Sequence, residues 1–179
     1  HGYEVTGTPA EADLLCLNTC SVREKAEFKT YSEMGRYRML KEQRPEIRIA
    51  LLGCVAQQAG EDLIKRMPFV DLVVGTHNLY AVPQMLIERE ESGRPQVRAD
   101  FHSEEHHIFR PADVDASGRL AAFVNILVGC DHKCTYCIVP QTRGPEISRR
   151  PEDVVQEVRQ LVDQGVREVT LLGQNVNSY

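Results

Sequence analysis

Short unbroken apolar runs alternate along this chain with longer stretches in which apolar residues recur every three or four positions. "ADLLCLN" (12–18), "RIALLG" (48–53) and "VDLVVG" (70–75) have strand length and lack polar alternation. They predict strands buried on both faces. Between the first two, "SVREKAEFKTYSEMGRYRMLKEQR" (21–44) predicts a long helix closed by Pro45, with Val22, Ala26, Tyr31, Met34 and Met39 roughly along one side. "QQAGEDLIKRM" (57–67) predicts a shorter helix stopped by Pro68, and Asn78 and Pro83 mark the start of a third, through about Glu90. Strands alternating with helices in this way predict an α/β domain on a parallel sheet.

The pattern breaks and then restarts. "ESGRPQVRADFHSEEHHIFRPADVDASGR" (91–119) is polar and interrupted by Gly and Pro, and most of it reads as a linker. The expected division is a first domain over 1–100, a linker over 101–118 and a second domain over 119–179. "AAFVNILVG" (121–129) predicts a strand, "PEDVVQEVRQLVDQG" (151–165) a helix and "REVTLLG" (167–173) the next strand. In the helix, Pro151 suits the first turn, Glu152 and Asp153 complement the dipole, and Gly165 stops it. Val154, Val155, Val158, Leu161 and Val162 form its expected apolar face. One βαβ unit is an incomplete sheet or barrel, and the chain opens on His1 rather than Met. The expectation is a segment of a longer protein.

Composition narrows the chemistry. A net charge of −5 over 179 residues carries no overall electrostatic footprint for nucleic acid, although a local patch is compatible with it. The apolar runs are too short to span a bilayer, and no stretch has the layout of a signal peptide. Six cysteines are too few for a disulfide scaffold at this size, so a metal-binding or redox use is expected.

Half of those cysteines stand in "GCDHKCTYC" (129–137), spaced C-x3-C-x2-C. Cys130, Cys134 and Cys137 lie in the loop leaving a predicted strand's carboxyl end, where α/β folds and barrels place active sites. A structural zinc site wants four ligands, and the fourth would be His132 or a remote residue. An iron–sulfur cluster held by three thiols instead keeps one iron open to a substrate or cofactor. Ligand count and loop position favour the cluster over zinc, and both over three unrelated buried cysteines. Cys20 follows the first strand and Cys54 ends the second. Carboxyl ends of parallel strands share one edge, so these two can share a metal, form a redox pair or simply be small buried residues.

"GCDHKCTYCIVPQTRGPEISR" (129–149) resembles the radical S-adenosylmethionine enzymes, with Tyr136 in the aromatic position of their three-cysteine motif, and its continuation resembles the methylthiotransferases among them. "LNTCSVREKAE" (17–27) and "GCVAQQAGEDL" (53–63) are similar to the amino-terminal domain of tRNA methylthiotransferases. The resemblance covers nearly the whole chain. It implies a flavodoxin-like parallel-sheet domain lacking its first strand and helix, followed by the start of a radical S-adenosylmethionine (βα) partial barrel. It implies that Cys130, Cys134 and Cys137 hold a 4Fe-4S cluster whose open iron takes S-adenosylmethionine. Cys20 and Cys54 would be two of three ligands to a second 4Fe-4S cluster, the third lying upstream. The implied reaction is methylthiolation of C2 of N6-isopentenyladenosine at position 37 of tRNA. The alternatives are modification of an aspartate on a ribosomal protein, or a non-catalytic zinc or iron–sulfur module. The implied partners are tRNA, an electron donor such as a flavodoxin or ferredoxin, and a sulfur donor, in a cytoplasmic setting and without a membrane. The segment alone is expected to be inactive.

Tyr136, Arg143, Gln174 and Asn175 are the candidate contacts to S-adenosylmethionine, the last two from the strand-end motif "GQN" (173–175). Lys133, Arg143, Arg149 and Arg150 make the loop locally basic, which suits phosphate or carboxylate contact or a merely solvated loop. Cys16 lies inside an apolar run and is expected in the core. "GTHN" (75–78) fits either a close approach to the first-domain cluster or a capping turn. His102, His106 and His107 in "HSEEHH" read as a solvated segment.

Overall fold

The computed structural model describes residues 3–22, 24–101, 109 and 116–179. They fall into two compact units, His1–Phe101 and His102–Tyr179. His102, His106 and His107 lie outside the described residues, as does most of the expected linker.

In the first unit, β1 (Leu14–Thr19), β2 (Arg48–Gly53), β3 (Leu72–Val74) and β4 (Gln96–Arg98) form one parallel sheet in that order. α1 (Glu24–Gln43), α2 (Cys54–Arg66) and α3 (Val82–Ser92) connect them. Alternate strand residues separate into two cores, as a sheet covered on both faces requires. Leu15, Ile49, Leu51 and Val73 pack with Met34 of α1 and with Val55, Ala56 and Leu63 of α2. Ala50, Leu72 and Val74 pack with Ala81, Met85 and Leu86 around α3.

Four features differ from the sequence-based expectation. β4 lies inside the polar stretch 91–119, where no strand was expected, on the first-domain side of the expected boundary at 100. It is three half-buried residues long and follows Pro95, so its apolar signal is a single Val97. The buried face of α1 is built on Thr30 and Met34, with Tyr37 and Leu40 partly buried, whereas Val22 and Met39 are exposed. α2 starts at Cys54, directly from β2, so Cys54 opens a helix rather than ending a strand. Cys16 is exposed, not in the core. Leu15 takes the buried side of β1, and Cys16 turns the other way into a cavity of about 730 Å3 lined also by Tyr3, Val5 and Tyr37. Desolvation by these surroundings still pushes its thiol pKa up, although the residue as a whole is exposed.

A buried carboxylate fastens the amino-terminal end of the sheet. Asp71, its side chain 3% exposed, pairs with Lys41 of α1 and with Arg89 of α3 at 2.9 Å. The same carboxylate accepts the Ile49 N–H at 2.9 Å. Two helices and a strand are thus tied to one charge that is fully paired, the condition under which burial of a charge is tolerated.

In the second unit, β5 (Ala121–Asn125) pairs in parallel with β8 (Glu168–Leu172), and α5 (Pro151–Asp163) connects them. Val124, Val154, Leu161 and Val166 form the core with Val158 and Val169 beside them. Val155 and Val162 are exposed, so the apolar face of α5 is narrower than its sequence implies. The single strand expected over 121–129 changes partners at Ile126. Its N–H donates to Leu172 O at 2.9 Å, and its carbonyl accepts the Arg149 N–H at 2.8 Å. Beyond it, β6 (Leu127–Val128) runs antiparallel to β7 (Ile147–Ser148). Between β6 and β7 lie the three-cysteine loop and a five-residue helix, α4 (Val139–Arg143).

Candidate functional site

The three-cysteine loop leaves β6 at Gly129, whose φ is +82° and where an added Cβ would stand 1.9 Å from Pro145 O. Only glycine fits such a turn. Cys130 N–H donates to Gly144 O at 3.2 Å, and Cys137 N–H donates to Cys134 O at 3.1 Å. Cys130 and Cys137 are half-buried and Cys134 is exposed. All three line one cavity of about 500 Å3, together with Asp131, His132 and Lys133. The non-thiol candidates of the loop are engaged elsewhere. Asp131 Oδ1 accepts the Glu146 N–H at 3.1 Å, and His132 Nε2 faces the amide Nδ2 of Asn175 at 3.1 Å, where the amide donates and the ring nitrogen accepts. Among the described residues, no three His, Cys, Asp or Glu side chains already stand in a metal-holding group. The donor chemistry nevertheless fits an iron–sulfur cluster: three thiols on one cavity wall, with the loop's carboxylate and imidazole turned to other partners.

β8 delivers its end to this loop. Gln174 Oε1 accepts the Gly129 N–H at 2.6 Å, and Asn175 contacts His132 as above. Tyr136 is 91% exposed, and Arg143 is half-buried at the end of α4. Arg149 leaves the basic surface. It is 5% exposed, pairs with Glu157 of α5, and donates to Asn125 O and Asp153 O, each at 3.3 Å. Its role is to join the end of β5 to α5, which no charge count along the loop could reveal.

The second thiol pair sits on the first unit's sheet. Thr19 of β1 is the register partner of Gly53 in β2, so Cys20 and Cys54 follow at neighbouring carboxyl ends. Cys20 is exposed and Cys54 is buried. Gly53 has φ +88°, and a Cβ there would stand 2.5 Å from Asn18 Oδ1 and 2.6 Å from Thr19 O. As helix N-cap, Gly53 offers no side-chain oxygen to α2. Thr19 supplies it from the adjacent strand: its hydroxyl accepts the Val55 N–H at 3.1 Å and donates to Leu52 O at 2.6 Å. One buried hydroxyl therefore joins the residue before Cys20 to the residue after Cys54. Cys20 lines a cavity of about 520 Å3 with Asn18, Lys29 and Arg36. Next to Cys20, Ser21 Oγ is buried without a hydrogen-bond partner among the described residues, as a site completed by a further group would leave it. The sequence singled out the cysteines but not Thr19 or Gly53; the signal was their place in the strand ends "LNTC" and "LLGC".

In "GTHN", Asn78 stands at the N-cap of a short 3-10 helix (Leu79–Ala81) without a side-chain cap bond; its Nδ2 donates to Asp100 O at 2.8 Å, and His77 is buried with its ring edge-on to Phe101 at 5.1 Å.

Comparison with known proteins divides the chain where its chemistry divides. Residues 1–75 match the uncharacterized protein family UPF0004, and residues 124–179 match the radical SAM superfamily. The second match takes in the whole three-cysteine loop. At the level of individual proteins, the chain is 52% identical over 99% of its length to the tRNA-2-methylthio-N(6)-dimethylallyladenosine synthases of Burkholderia mallei (strain SAVP1), Burkholderia pseudomallei (strain K96243) and Burkholderia lata. It spans 38% of the length of these relatives. No helix among the described residues is long and apolar enough to cross a membrane.

Proposed function

We propose that this chain is part of a radical S-adenosylmethionine methylthiotransferase that modifies C2 of N6-isopentenyladenosine at position 37 of tRNA. The observation that carries this is the loop of 129–137, three thiols around one cavity with the loop's own imidazole and carboxylate, His132 and Asp131, committed elsewhere. The 52% identity to the Burkholderia synthases over 99% of this chain supports the tRNA substrate.

Cys130, Cys134 and Cys137 would hold a 4Fe-4S cluster and leave one iron for S-adenosylmethionine. When bound, such a cluster would supply one-electron reducing chemistry toward the sulfonium of S-adenosylmethionine. The protein's share is placement. Gly129 and the carbonyls of Gly144 and Pro145 fix where the loop turns, α4 closes its far side, and Tyr136 and Arg143 would contact the bound cofactor. Cys20 and Cys54 would contribute to a second 4Fe-4S cluster on the sulfur-donating side. Thr19 holds the two strand ends in register for it. The electron would come from a flavodoxin or ferredoxin, and the sulfur from a separate donor.

The test is nucleoside analysis of tRNA from cells whose only copy of the complete protein carries Cys134→Ala. The expected result is loss of the 2-methylthio nucleoside and accumulation of its unmodified precursor. An unchanged 2-methylthio level contradicts the assignment.

A further inference from the structure

The geometry points to Gln174 as a positioning residue of the three-cysteine loop rather than a contact to S-adenosylmethionine; this rests on the cluster assignment above. Gly129 is buried, and its N–H falls just past the last β6–β7 register pair, Val128 with Ile147. A buried backbone donor without a partner is disfavoured, and nearly all find one. Here the partner is the Gln174 amide oxygen at 2.6 Å. The same glycine is pressed against Pro145 on its other side, so the turn that launches Cys130 is held between β8's end and β7's start.

Gln174 is itself fixed from both directions. Gly173 packs so closely on Leu127 that an added Cβ would lie 3.1 Å from Leu127 Cβ. On the other side, Asn175 reaches His132, while its carbonyl accepts both the N–H and the hydroxyl of Ser178, at 3.0 and 2.8 Å. The segment "GQN" is therefore a bracket closed by its own short turn, touching the loop on either side of Cys130. With its oxygen committed to Gly129, Gln174 acts through the loop backbone, as outer partners of metal ligands commonly do.

Two variants of the 179-residue chain separate the roles. Gln174→Leu removes the acceptor, and Gln174→Glu keeps one. In the iron-free chain, amide hydrogen exchange at Gly129 is expected to be slow in wild type and in Gln174→Glu and fast in Gln174→Leu, with unchanged circular dichroism. After anaerobic reconstitution, Gln174→Leu is expected to lose iron to a chelator about 10-fold faster than wild type, the lower end of what such partners contribute. Equal Gly129 exchange in wild type and Gln174→Leu overturns the proposal. So does a Gln174→Leu chain that retains iron like wild type but no longer responds spectroscopically to S-adenosylmethionine. A wild-type chain that takes up no iron and sulfide refutes the cluster assignment instead, and leaves the exchange result to decide on Gln174.

Discussion

The two thiol sites of this chain are positioned by opposite means. Cys20 and Cys54 sit on the edge of a sheet covered on both faces, where strand register and one threonine hydroxyl set their separation. Cys130, Cys134 and Cys137 sit on a loop whose walls are solvent-facing, held by single hydrogen bonds at its first residues. The first pair is far apart in sequence and fixed by tertiary structure. The second set is contiguous and fixed by local turns plus a bracket from β8. A site made from distant residues inherits rigidity from the fold, whereas a site on one loop needs dedicated supports, which is why Gly129, Gly144 and Gln174 gather there.

The largest effect that could break this comparison is expected at the far end of the sheet. Asp71→Ala strands Lys41 and Arg89 and orphans the Ile49 N–H. It should cost about 3 kcal/mol, the low end for a broken buried pair because both cations keep some water. Urea unfolding measures the loss, and alkylation of buried Cys54 should accelerate while that of exposed Cys134 does not. Gly129→Ala comes next: positive φ together with the contact to Pro145 O should cost about 1–3 kcal/mol locally. Iron uptake by the loop should fall while Cys54 labelling stays as in wild type.

Thr19→Val should cost about 1 kcal/mol, the usual loss of a helix cap, and Thr19→Ser should restore most of it. The accompanying sign is faster amide exchange at Val55. The smallest effect leaves stability alone. The thiolate is the reactive form of cysteine. The raised pKa of Cys16 therefore predicts slower alkylation than a free cysteine peptide at pH 8, with the rise in rate displaced to higher pH than the peptide's. Stopped alkylation read by peptide mass would show it.

Legibility in the sequence followed the same divide. Buried parallel strands are apolar throughout, so β1, β2 and β3 stood out, and a contiguous thiol motif is visible wherever it folds. β4 was hidden because an edge strand of three half-buried residues carries no run. The face of α1 was misjudged because it is built partly on Thr30, and Lys41 also turns inward, to Asp71, whereas Met39 points to water. Arg149 looked like surface charge because its carboxylate partner, Glu157, belongs to the following helix. Thr19 was passed over because capping a helix from a neighbouring strand depends on register, which no local pattern records.

The most direct test of the central claim, three thiols of one loop holding a cluster with an open iron, is spectroscopy of the chain with Cys16, Cys20 and Cys54 replaced by serine. After anaerobic reconstitution and reduction, the account predicts an iron–sulfur paramagnetic signal whose shape changes when S-adenosylmethionine is added. A colourless protein holding zinc, or a signal indifferent to S-adenosylmethionine, would contradict it.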